Sequence, residues 1–234
     1  MKTLAFMVTA LCVAEFASSG SQPSKTYGVG HGSIDVDGTL DERAWTEAVS
    51  ETGFSFPWQT REAPATEFRA LMDDTNFYFA FRVEDADIVI DDGDDGDDEE
   101  AVARGDRVEV FFTLDPSLDD YVCFEIDPSG RVLDYRASYY RELDFEWDLP
   151  QLVVAATLTE TGYVVEGSIP HQALRELGIP TLADDGKVLA GVFRAEYSRR
   201  DDGDPLAEWI SWVTPSSVEP DFHIPSAFAW LETR

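Results

Sequence analysis

Apolar and polar residues alternate with a period of two through much of the chain after residue 65. Phe68, Ala70 and Met72 alternate with charged or polar neighbours, and after a turn at 73–76 residues 77–83 return. A period of two places every second side chain on the same face of a β-strand. By the same pattern, further strands are predicted over residues 33–37, 108–114, 122–126, 131–137, 152–159, 162–169, 188–197, 209–213 and 228–232.

Only two short segments have a helical pattern. Thr39 and Glu42 have the spacing of a capping box, and Trp45 follows them on what would be the buried face of a first helix. Pro170 begins a second helix that ends before Gly178. Many short strands with two short helices predict an all-β fold, an antiparallel β-sandwich of the jelly-roll or immunoglobulin-like kind.

The N-terminus has the pattern of a secretory signal. Lys2 precedes an apolar run over residues 4–13, which is too short to span a bilayer. We expect a signal peptide over residues 1–14, with cleavage as late as residue 19, and a secreted protein, extracellular or periplasmic. Lipoprotein anchoring at Cys12 is the less favoured alternative, because a small residue is expected where Leu11 stands. Residues 15–32 are then a linker, and one domain covers residues 33–234.

Charge excludes several classes of partner. The chain has 47 acidic and 17 basic residues, for a net charge of −30. Such a protein repels nucleic acid and anionic membranes, so neither is expected as a partner, and no segment after the signal is apolar enough for membrane insertion. We interpret the charge as an acidic surface suited to high salt, as in halophilic proteins, in preference to a device for capturing calcium.

Four segments in a fixed order carry a family resemblance. They are residues 34–48, with Asp-Gly-Thr-Leu-Asp-Glu-Arg-Ala-Trp; 106–112, Asp-Arg-Val-Glu-Val-Phe-Phe; 163–170, Tyr-Val-Val-Glu-Gly-Ser-Ile-Pro; and 208–228, which ends in Phe-His-Ile-Pro-Ser-Ala-Phe. Together they resemble the family 9 carbohydrate-binding modules and their single-domain relatives, over residues 33–232. The resemblance implies non-catalytic binding of a polysaccharide or oligosaccharide, in support of polysaccharide degradation.

The resemblance also implies a site at one rim of the sandwich, formed by Glu109, Glu125, Arg194, Glu196, Phe222 and His223. Family members clamp a sugar between two tryptophans. Here Ala103 stands at the first of these positions and Phe222 at the second, so Phe222 is expected to stack on the sugar while the polar residues bind its hydroxyls. Trp58 and Trp147, both in loop-like contexts, are candidates to replace the missing ring, although packing at a sandwich edge is the simpler role for each.

Two other classes of function stay open. The domain could serve adhesion or assembly on a cell surface without a sugar site, alone or with an enzyme or a surface complex as its partner. It could also be a glycoside hydrolase, because Glu109, Glu125 and Glu196 lie on different strands and could form a carboxylate pair. The enzyme interpretation is the weaker one, since the family it resembles is non-catalytic.

Metal binding is suggested by the acidic segment 91–100 and its surroundings. Asp85, Asp87, Asp91 and Asp92 are the candidate ligands of a structural Ca²⁺, which prefers hard oxygen donors and which family 9 modules contain. The segment does not fit an EF-hand, because Gly93 and Val102 fall where ligands are required. A hydrated acidic loop is the simpler interpretation. No paired cysteines or His-x-x-x-His motif indicate zinc, and haem is not expected.

Overall fold

The structure is a computed structural model that describes residues 25–93, 98–113, 115–201 and 203–234. The predicted signal peptide, Cys12 and most of the predicted linker lie outside the described residues, as does Leu114. No helix among the described residues has the length and hydrophobicity needed to cross a membrane.

The described chain forms a β-sandwich of two sheets, as the alternation predicted. The twelve strands are β1 (Thr26–His31), β2 (Thr66–Met72), β3 (Asn76–Glu84), β4 (Arg107–Thr113), β5 (Tyr121–Ile126), β6 (Val132–Ser138), β7 (Glu142–Asp144), β8 (Val153–Leu158), β9 (Gly162–Pro170), β10 (Lys187–Arg200), β11 (Gly203–Ser211) and β12 (Ala229–Thr233). One sheet has the order β7-β6-β5-β4-β10-β12-β1, with β11 also paired to β10. The other has the order β1-β2-β3-β9-β8.

Strand β1 belongs to both sheets, and its position corrects two predictions. It runs parallel to β12 and to β2, whereas every other strand pair in the described part of the chain is antiparallel. Residues 26–31 are therefore a central strand and not part of a linker, because Tyr27 and Val29 alternate with small residues and are buried. Residues 33–37, predicted as the first strand, form no strand.

Both faces of the first sheet are covered. Val108, Val110 and Phe112 point into the main core between the sheets, as predicted. Their neighbours Glu109 and Phe111 point to the opposite face, where a second apolar cluster buries them as well. This second covering is why every residue of β4 and β5 is buried, although a sandwich strand would normally expose one face.

The helices number four among the described residues, not the predicted two. They are α1 (Arg43–Glu47), α2 (Asp98–Val102), α3 (His171–Glu176) and α4 (Leu182–Asp185). The predicted capping box does not form. Thr39 donates its N–H and its hydroxyl to Asp37 Oδ1 at 2.9 and 2.6 Å, which closes a local turn. The helix therefore starts only at Arg43. Trp45 is fully buried as expected, and its indole donates to Glu166 at 2.6 Å.

Candidate functional site

A pocket of about 240 Å³ opens on the outer face of the first sheet. Its floor is β4, β5 and β6; one wall is Trp209 of β11 with the segment 220–223; the opposite wall is the β6–β7 hairpin and the turn after it. The lining residues are Ala103, Arg107, Glu109, Glu125, Leu133, Tyr135, Arg141, Leu143, Phe145, Trp209, Pro220, Asp221, Phe222 and His223. Strand alternation places the floor side chains together, because Glu109 is the cross-strand partner of Glu125, which in turn faces Leu133.

The floor carries a buried ion cluster. Arg107 Nε donates to Glu125 Oε2 and lies 3.1 Å from Glu109 Oε1. Tyr135 donates its hydroxyl to the other oxygen of Glu125 at 2.7 Å. Glu125 is thus held by two donors, which satisfies a carboxylate that is almost fully removed from water.

Glu109 is less well satisfied. The single Nε–H of Arg107 is already donated to Glu125, and Glu109 Oε1 has no hydrogen-bond partner among the described residues. Burial, reinforced by the negative charge of Glu125, raises the pKa of Glu109 to about 8. The pocket therefore contains a buried acceptor that a ligand donor could satisfy.

His223 lies at the edge of this cluster, as the sequence predicted. Its Nδ1 is 2.8 Å from the hydroxyl of Tyr121, and its backbone N–H donates to Asp221 at 2.9 Å. Burial lowers the pKa of His223 to about 4, so the ring is neutral near pH 7. A neutral ring in this position serves hydrogen bonding.

Phe222 lines the pocket but does not offer an open ring. Its ring stacks on Phe193 with centroids 4.1 Å apart and planes 8° apart, and Trp58 and Trp209 pack against it at 5.8 and 5.9 Å. Only 6% of Phe222 is exposed. Phe222 is therefore a packed part of the pocket wall, and Trp58, which contacts it, does not line the pocket.

The aromatic rings that do face the pocket were not predicted. Phe145 is 51% exposed and packs on Tyr135 at 5.0 Å. Trp209 is partly buried and forms the opposite wall. Trp147, the other candidate, packs against the main core near Phe124 and does not line the pocket.

Arg194 and Glu196 do not join the pocket, and the register of β10 explains why. Phe193 pairs with Glu109 and Arg194 pairs with Val108. Because side chains alternate between the two faces of a strand, Phe193 shares the pocket face while Arg194 and Glu196 point into the sandwich. The prediction that they line the same rim was wrong.

These two residues belong to a second, buried acidic cluster with Asp85 and Asp106. One oxygen each from Asp85, Asp106 and Glu196 lies within 4.8 Å of the others. Arg194 pairs with Glu196 and lies 3.6 Å from Asp85 Oδ2, which has no hydrogen-bond partner among the described residues. Burial raises the pKa of Asp106 to about 8 and that of Glu196 to about 7, so the single arginine does not balance the carboxylates.

Of the four predicted calcium ligands, only Asp85 is in this cluster. Asp87 pairs with Arg199 at 2.5 Å, and Asp91 pairs with Arg104 at 2.7 Å. Asp92 is exposed on the surface next to them. The predicted set is therefore not a single site, and the central part of the acidic segment, residues 94–97, lies outside the described residues.

Comparison with known proteins gives one family. The model of the family described as carbohydrate family 9 binding domain-like matches residues 36–232. A search of curated proteins finds no match.

Three solved structures share the fold. A family 9 carbohydrate-binding module from Caldicellulosiruptor kristjanssonii, solved with cellotriose, aligns with a TM-score of 0.60 at 15% identity, covering 90% of this chain and 94% of its own. The same kind of module solved with glucose gives 0.60 and 15%, with 90% and 96% covered. A candidate carbohydrate-binding protein from Bacteroides uniformis gives 0.66 and 16%, with 92% and 100% covered.

Proposed function

The chain belongs to the carbohydrate family 9 binding domain-like family, and from this membership we propose that it binds carbohydrate, without cleaving it, in the pocket on β4, β5 and β6. The observation that carries the proposal is that one concave site combines aromatic walls with Glu109, a buried carboxylate whose Oε1 accepts no hydrogen bond from the described residues. The complexes of the Caldicellulosiruptor kristjanssonii modules with cellotriose and glucose support it.

The pocket matches the two surfaces of a sugar. A sugar ring has apolar C–H faces and a rim of hydroxyls. Phe145 and Trp209 would meet the faces, while Glu109 and His223 would bond hydroxyls. Each hydroxyl exchanges a bond to water for a bond to protein, with a net gain of about 0.5–1.5 kcal/mol, so the expected affinity is modest.

The geometry of the pocket argues against both alternative functions, for a different reason in each case. A surface module for adhesion without a sugar site does not need a concave pocket lined by buried polar groups. A hydrolase would use a close carboxylate pair, and Glu109 with Glu125 is such a pair. Arg107, however, contacts both carboxylates, and Tyr135 bonds Glu125, which makes Glu125 a fixed acceptor and not an acid or base poised for water.

A glycan array on the full chain, with calcium and high salt as variables, tests the proposal. Reproducible binding to one class of neutral glycan, without release of reducing sugar, is the expected result. Calorimetry with the variant Glu109→Ala, compared with Glu47→Ala on the exposed face of α1, should show loss of binding in the first variant only. Binding that survives Glu109→Ala would place the sugar elsewhere.

The buried acidic cluster is our proposal for the structural calcium. Asp85, Asp106 and Glu196 offer hard oxygen donors, and the unpartnered Asp85 Oδ2 fits a cation bound beside Arg194. Calcium there would neutralise carboxylates that burial otherwise protonates, and would tie the ends of β3 and β10 to the start of β4.

The proposed setting follows from the sequence. We propose that the mature domain is secreted and stays functional at high salt because of its acidic surface. A non-catalytic sugar-binding module of this kind would act beside a polysaccharide-degrading enzyme or within a surface complex, holding it on the substrate.

A further inference from the structure

Exposed aromatic residues are concentrated beside the pocket. Seven large hydrophobic side chains are exposed among the described residues, and three of them, Tyr139, Tyr140 and Phe145, fall within seven positions of the chain. Tyr139 and Tyr140 are 51% and 52% exposed, and their ring centroids lie 5.3 Å apart. Single exposed hydrophobic residues need no explanation, but three of them in one short hairpin do. We call these three residues the aromatic patch.

The aromatic patch adjoins the pocket at both ends of the hairpin. Tyr139 and Tyr140 form the turn of the β6–β7 hairpin, whose third turn residue, Arg141, lines the pocket. Tyr140 donates its hydroxyl to Asp221 on the opposite wall at 2.5 Å. Phe145, at the far end of the hairpin, lines the pocket directly. Tyr140 therefore stands at the rim of the pocket, in contact with a residue of its wall.

The patch is held in place before any ligand binds. Arg141 adopts a left-handed backbone conformation, with φ of 59°, as the last residue of a three-residue hairpin turn. From there its guanidinium pairs with Asp221 at 3.0 Å, and Asp221 also accepts from the backbone of His223. Since a non-glycine residue in this conformation carries strain, the position is maintained by these contacts. A fixed aromatic surface loses little entropy when a ligand stacks on it.

The size of the pocket limits what it can hold. Its 240 Å³ lies below the roughly 300–1,000 Å³ of sites that enclose drug-sized ligands, so it accommodates one sugar ring. An oligosaccharide bound through one ring must place its following units outside. The charge of −30 makes acidic glycans poor ligands, which leaves chains of neutral sugars.

We infer that the aromatic patch is a second subsite, in which Tyr140 stacks on the sugar unit that follows the one held in the pocket, so that the ligand is a chain of neutral sugars and not a free monosaccharide. This inference rests on the proposed function of the pocket. Tyr140 is then a residue that sets preference for chain length, whereas Glu109 and its neighbours set preference for the first sugar.

Calorimetry with matched mono- and trisaccharides of neutral sugars, including glucose and cellotriose, tests the inference. For the wild-type chain, the affinity for the trisaccharide should exceed that for the monosaccharide by about tenfold. Tyr140→Ala should remove most of this difference and leave the monosaccharide affinity unchanged. Tyr140→Phe, which keeps the ring but lacks the hydroxyl bond to Asp221, should retain it. Thermal unfolding of each variant controls for folding.

The outcomes separate the two proposals. If no glycan binds, the proposed function fails and the second subsite fails with it. If the monosaccharide and the trisaccharide bind equally well, or if Tyr140→Ala preserves the gain with chain length, the pocket remains a sugar site and the second subsite is refuted. Loss of the gain in both Tyr140→Ala and Tyr140→Phe would also refute stacking, since it would assign the effect to the contact with Asp221.

Discussion

Glu109 and Glu125 stand opposite each other on neighbouring strands, and both carboxylates contact the guanidinium group of Arg107. The two carboxylates differ in their hydrogen bonds. The hydroxyl of Tyr135 and the Nε–H of Arg107 both donate to Glu125, which leaves one oxygen of Glu109 without a donor. A bound sugar hydroxyl would supply that donor. If sugar binds in this pocket, the asymmetry should make its affinity dependent on pH.

Affinity should rise as the pH is raised from 6 to 8 and then level off. Burial holds the pKa of Glu109 near 8 in the free protein, and a hydroxyl that donates to its carboxylate favours the ionised form, so binding releases a proton below that pH. The gain is at most about tenfold per pH unit. Calorimetry in buffers of different ionisation enthalpy would detect the released proton.

Glu109→Gln is the matched control for this effect. It keeps the size of the side chain but cannot ionise, so its affinity should be lower than that of the wild type at pH 8 and independent of pH. A wild-type affinity that does not change between pH 6 and 8 would show that the sugar does not contact this carboxylate.

Phe145 and Phe222 should respond to truncation in opposite ways. Phe145→Ala removes a half-exposed ring from the pocket wall, so we expect about a tenfold loss of affinity with a change in unfolding free energy below about 0.5 kcal/mol. Phe222→Ala empties a site stacked on Phe193, so we expect a destabilisation of about 3–5 kcal/mol. Calorimetry and urea unfolding of both variants measure the two quantities. Normal stability of Phe222→Ala with lost binding would restore Phe222 as the stacking ring.

Calcium should stabilise the fold through the buried acidic cluster. At 100 times its dissociation constant, a ligand that binds only the folded state adds about 2.7 kcal/mol to the unfolding free energy. Asp106→Asn should remove the rise in melting temperature with calcium, while Asp87→Asn, whose carboxylate pairs with Arg199 outside the cluster, should keep it. Equal responses of the two variants would place the calcium elsewhere or nowhere.

The same cluster gives a pH signature without calcium. Burial raises the pKa of Asp106 to about 8 and that of Glu196 to about 7, above their values in the unfolded chain. Their contribution to stability is therefore complete below about pH 4, declines as the pH rises above the unfolded pKa values, and is fully lost once the pH has passed 7 and 8. Calcium should abolish this loss, because it favours the ionised carboxylates. Melting temperatures at pH 6 and 8, with and without calcium, test the coupling.

Salt should stabilise the protein by screening its own charge. A net charge of −30 destabilises the compact state, and the screening length falls from about 10 Å at 0.1 M salt to about 3 Å at 1 M. We expect the melting temperature to rise by about 5 °C or more over this range, in KCl as in NaCl. An unchanged melting temperature would refute the interpretation of the surface as suited to high salt.

The sequence predicted the fold better than the site. Alternation assigned Val108, Val110 and Phe112 to the core correctly, because burial on one side is visible as a period of two. Alternation could not reveal the register of β10 against β4. This register places Phe193 on the pocket face and Arg194 on the opposite face. Local pattern contains no information about which residues of distant strands become partners.

The unpredicted aromatic wall has a similar cause. Phe145 follows β7, a strand of three residues that is too short to show alternation, and its position in the pocket depends on a hairpin that folds back over β6. Strand β1 was missed for a different reason. Its glycines and polar ends resemble a linker, although the alternation of Tyr27 and Val29 was a usable signal.

The parallel pairing of β1 with β12 also determines how the domain would resist mechanical force. Thr26 lies beside Trp230 and Val29 beside Thr233, so the two strands run side by side in the same direction. Tension applied in opposite directions at residues 26 and 233 would slide one strand along the other, which loads all the hydrogen bonds of the ladder at once. A module stretched between flanking segments would therefore rupture at high force, while its pocket, on strands outside this ladder, would keep its ligand until the ladder fails.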